Sequence, residues 1–452
     1  MREPVTNRRK FLETIGTASL VVGSGVPLSF AAEAGPKLAL DGGTPVRKER
    51  LGAQPYGPQF YDDAEKQGLL DVLESRTPFR FSKGKASKVS LFEKDYAAHM
   101  GTKFALGVTS GTAALYCAVA ALGIGPGDEV ILPAWTWYAC YDAIVLSGAL
   151  PVFAEIDESF DIDPGDIEKK ITPRTKAIMA VHLQGCPADL DPVMAIARDH
   201  KLRVIEDCAQ CVGGRYKGKF VGSVGDVGIY SFQVSKTITA GEGGAVVTSD
   251  PELFERACRF HNFGALFPPY DDILKGGLLA AFAACNFRMN EFTGAVLGAQ
   301  LKKLDTICKR VRANALVVRE GIADLPGLKL RKSHDREGDI GVGVFLDLGS
   351  HARREKYLKA MSAEGVPASP PGGSVILPTA ERIEKKVTIH PDWPSFQSPE
   401  GKAIRYGAAC CPRTIDILGR HAGVMIDPNF SDEDLKDIVR AIRKVHTALA
   451  PT

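Results

Sequence analysis

The sequence predicts an α/β fold: a large domain with a mainly parallel sheet between helices, then a smaller C-terminal α+β domain. Three observations predict it. From about Leu91 to Ser249, short apolar runs alternate with helical patterns. Those runs are continuously apolar, as strands covered on both faces must be. After about Gly327 the pattern changes, with an alternating run (Gly341 to Asp347) and a closing helix (Ser431 to Ala448). Composition agrees: of 452 residues 45% are hydrophobic and 24% charged, which excludes a disordered chain. The 46 Gly and 28 Pro carry no period, which excludes collagen-like and low-complexity classes. Lys+Arg 56 against Asp+Glu 54 leaves +2, so nothing draws the chain to nucleic acid or to acidic membranes.

The elements follow in order. Asn7-Arg8-Arg9-Lys10-Phe11-Leu12 precedes a mild apolar run, Ile15 to Phe30, and Ala32-Glu33-Ala34 offers a small-residue cleavage site. Residues 1–34 therefore resemble a twin-arginine export signal, which implies a periplasmic or exported protein; a basic tail on a cytoplasmic protein is the alternative. Residues 35–60 read as an arm, 61–305 as the large domain and 306–452 as the small one. Strands are expected at Phe104–Val108, Glu129–Pro133, Pro151–Ile156, Lys176–His182 and Leu202–Asp207. Gly228–Phe232 and Gly244–Thr248 read as a closing pair. Helices are expected at Ala113–Leu122, around Ala143–Ser147 and at Val193–His200. A long helical stretch, Met289 to Ile322, leads out of the large domain. Ser431-Asp432-Glu433-Asp434 opens the last helix with a cap and an acidic first turn. Of the ten cysteines, Cys117, Cys140, Cys208, Cys258 and Cys285 read as small core residues. Cys208-Ala209-Gln210-Cys211 superficially fits a redox motif, and no paired zinc-type spacing exists, so no metal is expected.

In parallel sheets ligands bind where strands end. After Val108 comes Ser110-Gly111-Thr112, whose hydroxyls and free N–H groups at a helix start suit a phosphate; an ordinary capped helix looks the same. After Pro133 comes Trp135-Thr136-Trp137, able to stack on a planar ligand or to pack under a neighbouring domain. After Ile205 come Glu206 and Asp207, which need a cation or donors if buried. After Tyr230 come Ser231 and Lys236; a lysine near an apolar strand end becomes a nucleophile toward carbonyls. Phosphate cradle, stacking ring, acid and amine together are the parts that pyridoxal 5'-phosphate (PLP) requires.

These stretches, with Gly125-Pro126-Gly127-Asp128-Glu129, Val181-His182-Leu183, Gly241-Glu242-Gly243-Gly244 and Asn286-Phe287-Arg288-Met289, run in the order of one family. The sequence resembles the DegT/DnrJ/EryC1/StrS sugar aminotransferases, of PLP-dependent transferase fold type I, which implies a seven-stranded-type sheet. The resemblance implies that Lys236 binds PLP as a Schiff base and shuttles a proton, and that Asp207 pairs with the ring nitrogen. It assigns Gly111, Thr112 and Ser231 to the phosphate, Trp137 to stacking, Gln210 to a place beside the ring, and Asn286 to the phosphate across a subunit interface. The protein is then a homodimer or larger. The implied reaction moves an amino group from glutamate or glutamine to a keto-sugar or keto-cyclitol. One branch carries histidine in place of the lysine and dehydrates sugars; Lys236 favours transamination. Dehydration and a non-catalytic, PLP-fold regulatory protein are the alternatives. His182 reads as a packed histidine rather than a base, and Arg288 as structural or as a carboxylate ligand. Ala284-Cys285 and the stretch from Phe267 to Ala284 depart from the family pattern.

Overall fold

Continuous apolar runs separated by helices have one stable arrangement: strands side by side, covered on both faces. The computed structural model, which describes residues 37–277 and 279–449, adopts it. The leader expected at 1–34 lies outside the described residues. The main elements are α1 (Asp63–Ser75), α2 (Lys88–Met100), β1 (Phe104–Val108), α3 (Gly111–Ala121), β2 (Glu129–Pro133), β3 (Trp135–Thr136), α4 (Tyr138–Leu146), β4 (Leu150–Ala154), β5 (Thr175–Val181), α5 (Leu190–His200) and β6 (Arg203–Asp207). A small hairpin, β7 (Arg215–Tyr216) and β8 (Lys219–Phe220), leads to β9 (Val227–Ser231) and β10 (Gly244–Thr248).

Seven strands form one sheet in the order β1-β10-β9-β6-β5-β2-β4. The run from β9 to β4 is parallel; β10 alone is reversed, pairing antiparallel with both β9 and β1. Every residue of β2, β9 and β10 is buried, which is why these runs show no alternation. Register aligns the strand ends. Val108 and Ser231 flank Gly244 in one row across β1, β10 and β9. Asp207 stands between Ile229 of β9 and Val181 of β5. The residues singled out in the sequence therefore share one edge.

The expected long helix from Met289 to Ile322 is broken in two: α6 (Glu291–Leu301) and α7 (Leu304–Gly321). The break lets one carboxylate hold both ends of the turn. Glu65 of α1 accepts from Gln300 Nε2 at 2.7 Å and from Lys303 Nζ at 2.7 and 2.8 Å.

Beyond α7, β11 (Lys329–Leu330) and β12 (Gly343–Asp347) are followed by β13 (Val375–Ile376), which leaves to pair with β3. The chain then returns through β14 (His421–Met425), giving an antiparallel sheet β11-β12-β14, and ends in α8 (Asp432–Ala448). The expected start of α8 holds: Ser431 Oγ accepts the Asp434 N–H at 3.2 Å, and the Ser431 N–H donates to the Asp434 carboxylate at 2.9 Å. The arm lies along this part of the molecule. Arg47 pairs with Asp434 and Asp437 at 2.6 and 3.0 Å, and the Gln54 N–H donates to Asp427 at 2.8 Å. Among the described residues no helix is long and apolar enough to cross a membrane.

Candidate active site

The first element of the site is the β1–α3 turn. Ser110 Oγ accepts the Ala113 N–H at 3.0 Å and so caps α3. A helix start leaves its first N–H groups without partners in the helix, and here Gly111 and Thr112 carry two of them. The turn is pressed against the end of β9. A Cβ on Gly111 would lie 2.6 Å from Ser231 Cβ, and one on Gly244 would lie 2.3 Å from the Ser110 carbonyl oxygen. Only glycine permits this approach, and it sets the Ser231 hydroxyl beside the start of α3. Thr112 is exposed at the same place. The arrangement fits a phosphate: N–H groups, two hydroxyls and the positive end of a helix.

The second element is the acid pair at the end of β6. Successive strand residues face opposite sides, so Glu206 and Asp207 meet different surroundings. Glu206 is saturated. Its carboxylate accepts from the N–H groups of Gly222 (2.7 Å), Val224 (2.8 Å) and Gly225 (2.6 Å) and from His182 Nε2 (3.1 Å). Burial pushes its carboxyl up, but these donors, His182 first, hold it below the usual range. Asp207 is equally buried and has weaker company: the Ala209 N–H at 2.9 Å and the Cys140 thiol at 3.1 Å. Burial dominates, and its carboxyl is raised even though Ala209, Cys140 and the charge of Lys236 oppose the shift. A carboxylate with unused acceptor capacity and an upward shift is a site for a protonated partner. A pyridinium nitrogen is such a partner, and the donor set fits PLP at this end of the site.

The third element is the loop joining β9 to β10. The Phe232 N–H donates to Gly243 O (2.9 Å), the Val234 N–H to Gly241 O (3.1 Å), and the Lys236 N–H folds back to Gln233 O (2.9 Å). Thr239 Oγ1 donates to Phe232 O at 2.7 Å and fixes the far side of the loop. Lys236 sits in this loop, half-buried. Burial lowers its amine pKa below the ordinary lysine value, while the charge of Asp207 pulls it back up. A lowered amine is more often free base at neutral pH, the form that attacks an aldehyde.

The remaining residues divide. Trp137 is the N-cap residue of α4 and is 52% exposed, available to stack on a ligand; Trp135 is buried against Phe160. Gln210 is committed: its Nε2 donates to Gly373 O at 3.0 Å and to Ser374 Oγ at 2.9 Å. Asn286 is exposed, on an extended segment bridged to Asn262; the same segment bridges Val108 through Arg288 and gives Phe287 O to the Thr109 N–H at 3.0 Å. The Arg288 guanidinium lies 5.4 and 5.2 Å from the Phe79 and Phe263 rings and donates to Asn262 Oδ1 at 2.8 Å. His182 is fully packed, with Nδ1 accepting the Ala188 N–H at 3.0 Å. His182, Glu206 and Cys208 stand close enough to suggest a metal centre. The hydrogen bonds just described already occupy the His182 nitrogens and the Glu206 oxygens.

Two contributors escaped the sequence reading. Cys140 reads as a small core residue, yet its thiol bonds Asp207 and lies 3.2 Å from Thr136 Oγ1. Burial, then the Asp207 charge, pushes that thiol well up, so it remains an S–H donor. Gln184 was unmarked; it holds the loop that Gln210 holds.

The family model of the DegT/DnrJ/EryC1/StrS aminotransferase family matches residues 61–371. The chain belongs to that family and is a PLP-dependent aminotransferase. It is 33% identical over 428 residues, 90% of this chain and 97% of the other, to L-glutamine:2-deoxy-scyllo-inosose aminotransferase of Micromonospora echinospora. Its fold is similar to that of 3-amino-5-hydroxybenzoic acid synthase, with a TM-score of 0.71 and 30% identity, covering 88% of this chain and 99% of that one. A fold likeness alone, at 22% identity and a TM-score of 0.69 over 87% and 99% of the chains, links it to E. coli GDP-4-keto-6-deoxy-D-mannose-3-dehydratase with bound hydrated PLP.

The two neighbouring acids should separate cleanly on mutation. The folded apoprotein holds a proton on Asp207 that the unfolded chain releases at lower pH, so this residue costs stability as pH rises through that window. Asp207→Asn should leave the melting temperature of the apoprotein at pH 7.5 equal or higher while turnover falls at least about 100-fold. Glu206→Ala, which orphans three N–H groups and His182, should lose on the order of 3 kcal/mol in urea unfolding.

Proposed function

We propose that the protein transfers an amino group from L-glutamine or L-glutamate to the keto group of a cyclitol or sugar. The observation that carries the reading is Asp207, a buried carboxylate short of donors, whose charge is felt at the Lys236 amine. The resemblance in sequence and length to the Micromonospora glutamine:inosose enzyme supports the substrate class. PLP bound here supplies an aldehyde for amine exchange and an electron-accepting ring. Gly111, Thr112 and Ser231 would hold its phosphate and Trp137 its face. Asp207 would keep the ring nitrogen protonated. Lys236 Nζ would bind the aldehyde at rest and, once displaced, carry the proton at the substrate carbon. With [15N-amino]glutamine and a panel of keto-cyclitols and keto-sugars, the label should appear in an amino-cyclitol or amino-sugar. Lys236→Ala should lose the visible absorbance of the bound cofactor and all turnover. Label retained in the donor while the acceptor loses oxygen would instead make it a dehydratase.

The working unit is a homodimer with shared sites. Asn286 is exposed on a face that also bares Phe79, Phe263 and Phe267, at 46%, 60% and 41% exposure. Exposed aromatics grouped beside a functional residue fit an interface core. Phe263→Asp should shift the protein toward monomer in sedimentation and weaken PLP retention, because each monomer would then lack the partner copy's asparagine.

Residues 1–34 direct export by the twin-arginine route, which carries folded, cofactor-loaded proteins. The support is Arg8-Arg9, the apolar run and the Ala-Glu-Ala site. In cell fractions the tagged full-length protein should be periplasmic, and Arg8→Lys with Arg9→Lys should hold it in the cytoplasm. Equal distribution of the two would refute export.

A further inference from the structure

Gln184 lies three residues past the end of β5, buried, in a left-handed backbone conformation (φ 53, ψ 39) that a non-glycine residue rarely adopts. Strain of this kind persists only where the surroundings enforce it. Here they do so with hydrogen bonds to a loop. Gln184 Nε2 donates to Gly372 O at 2.5 Å and to Gln210 Oε1 at 3.4 Å, and that Oε1 also accepts the Gln184 N–H at 3.3 Å. Gln210 in turn grips Gly373 O and Ser374 Oγ. Immediately after this turn, β13 pairs with β3, Val375 with Thr136 and Ile376 with Trp135, and the Leu377 N–H donates to Ala134 O at 2.8 Å.

The Gly372–Ser374 turn is thus clamped on one side to the residue three beyond Asp207 and on the other to the strand that ends one residue before Trp137. The clamps are side-chain amides and a two-residue ladder. Gly372 and Gly373 themselves are exposed. A turn of two glycines and a serine, stiffened by Pro370 and Pro371 before it, carries peptide N–H groups, the Ser374 O–H and the remaining lone pairs of carbonyls that the glutamine amides already engage, without charge. That is a surface matched to a polyhydroxylated ring, whose groups both donate and accept.

We propose that the Gly372–Ser374 turn is the wall against which the amino acceptor seats, and that Gln184 is the residue that positions it. The inference rests on the aminotransferase reading and adds a location for acceptor selectivity. Donor and acceptor then depend on different parts of the site. The amino donor needs Lys236 and Asp207; the acceptor needs the turn in register.

The test uses PLP-loaded holoenzyme and measures the half-reactions separately: L-glutamine with the resting enzyme, then 2-deoxy-scyllo-inosose and a panel of ketoses with the aminated enzyme. Gln184→Met keeps length and removes the amide. It should leave the glutamine half-reaction within about twofold of wild type and raise KM for the best acceptor about tenfold, roughly one hydrogen bond's worth of positioning, with kcat less affected. Preference among panel members should flatten. Amide hydrogen exchange at Val375–Leu377 should quicken in the variant before any substrate is added. Ser374→Ala, a milder change on the turn itself, should give the same acceptor-only loss and serves if Gln184→Met does not fold. Equal losses in both half-reactions, or no loss in either, overturn the proposal while leaving the aminotransferase reading intact. Wild-type enzyme that takes nitrogen from glutamine but accepts no member of the panel overturns the acceptor class and this wall with it. No nitrogen uptake at all overturns the parent reading.

Discussion

The site depends on one electrostatic imbalance. Asp207 is as buried as its neighbour Glu206, yet it accepts one backbone N–H and one thiol where Glu206 accepts three N–H groups and an imidazole. Burying a carboxylate with so few donors is unfavourable, and a fold tolerates it where a cation completes the set. Everything else is arranged around that demand. The Lys236 loop stands within electrostatic reach, the glycine-tight β1–α3 turn lies across β10, and Trp137 leaves its ring uncovered.

The sheet makes this arrangement stiff. Asp207 and Ser231 belong to adjacent strands, about 5 Å apart in the pairing direction, and each strand is held by a neighbour on both sides. Placing the groups at strand ends lets the core fix their spacing while the loops remain free to vary. The close contacts of Gly111 and Gly244 extend the same rigidity to the start of α3. In that part of the molecule the groups that would hold a phosphate are set by backbone packing, not by the reach of long side chains.

Legibility in the sequence follows the same division. Strands of the large sheet are legible because burial on both faces makes them continuously apolar, and their bounds hold to within two residues. Asp207 and Ser231 are legible as polar residues that close apolar strands, and Gly111 and Lys236 as residues of the loops that follow strand ends. The break between α6 and α7 is not, since Lys302 and Lys303 are good helix formers; the turn comes from Glu65, more than 230 residues away in sequence. Cys140 and Gln184 are hidden for a related reason. A buried cysteine looks like any small core residue until the chain brings Asp207 against it, and a glutamine after a strand carries no signal of a left-handed backbone. What sequence patterns miss here is what tertiary hydrogen bonds decide.

The two glutamine amides around the Gly372–Ser374 turn show where the fold separates chemistry from recognition. Asp207 at the end of β6 and Lys236 in the β9–β10 loop, on which the proposed use of the amino donor rests, lie within residues 61–371, the part that matches the family model. The turn begins one residue later, at Gly372, in the part that model does not match. A chain can therefore change its acceptor by altering the second segment without disturbing the electrostatics of the first, provided something couples the two. Gln184 and Gln210 are that coupling: both follow strands of the central sheet, and both spend their side-chain amides on the later segment. The strained backbone at Gln184 then has a reason, because an extended residue at that position would carry its amide away from Gly372 and leave the turn held by Gln210 and β13 alone.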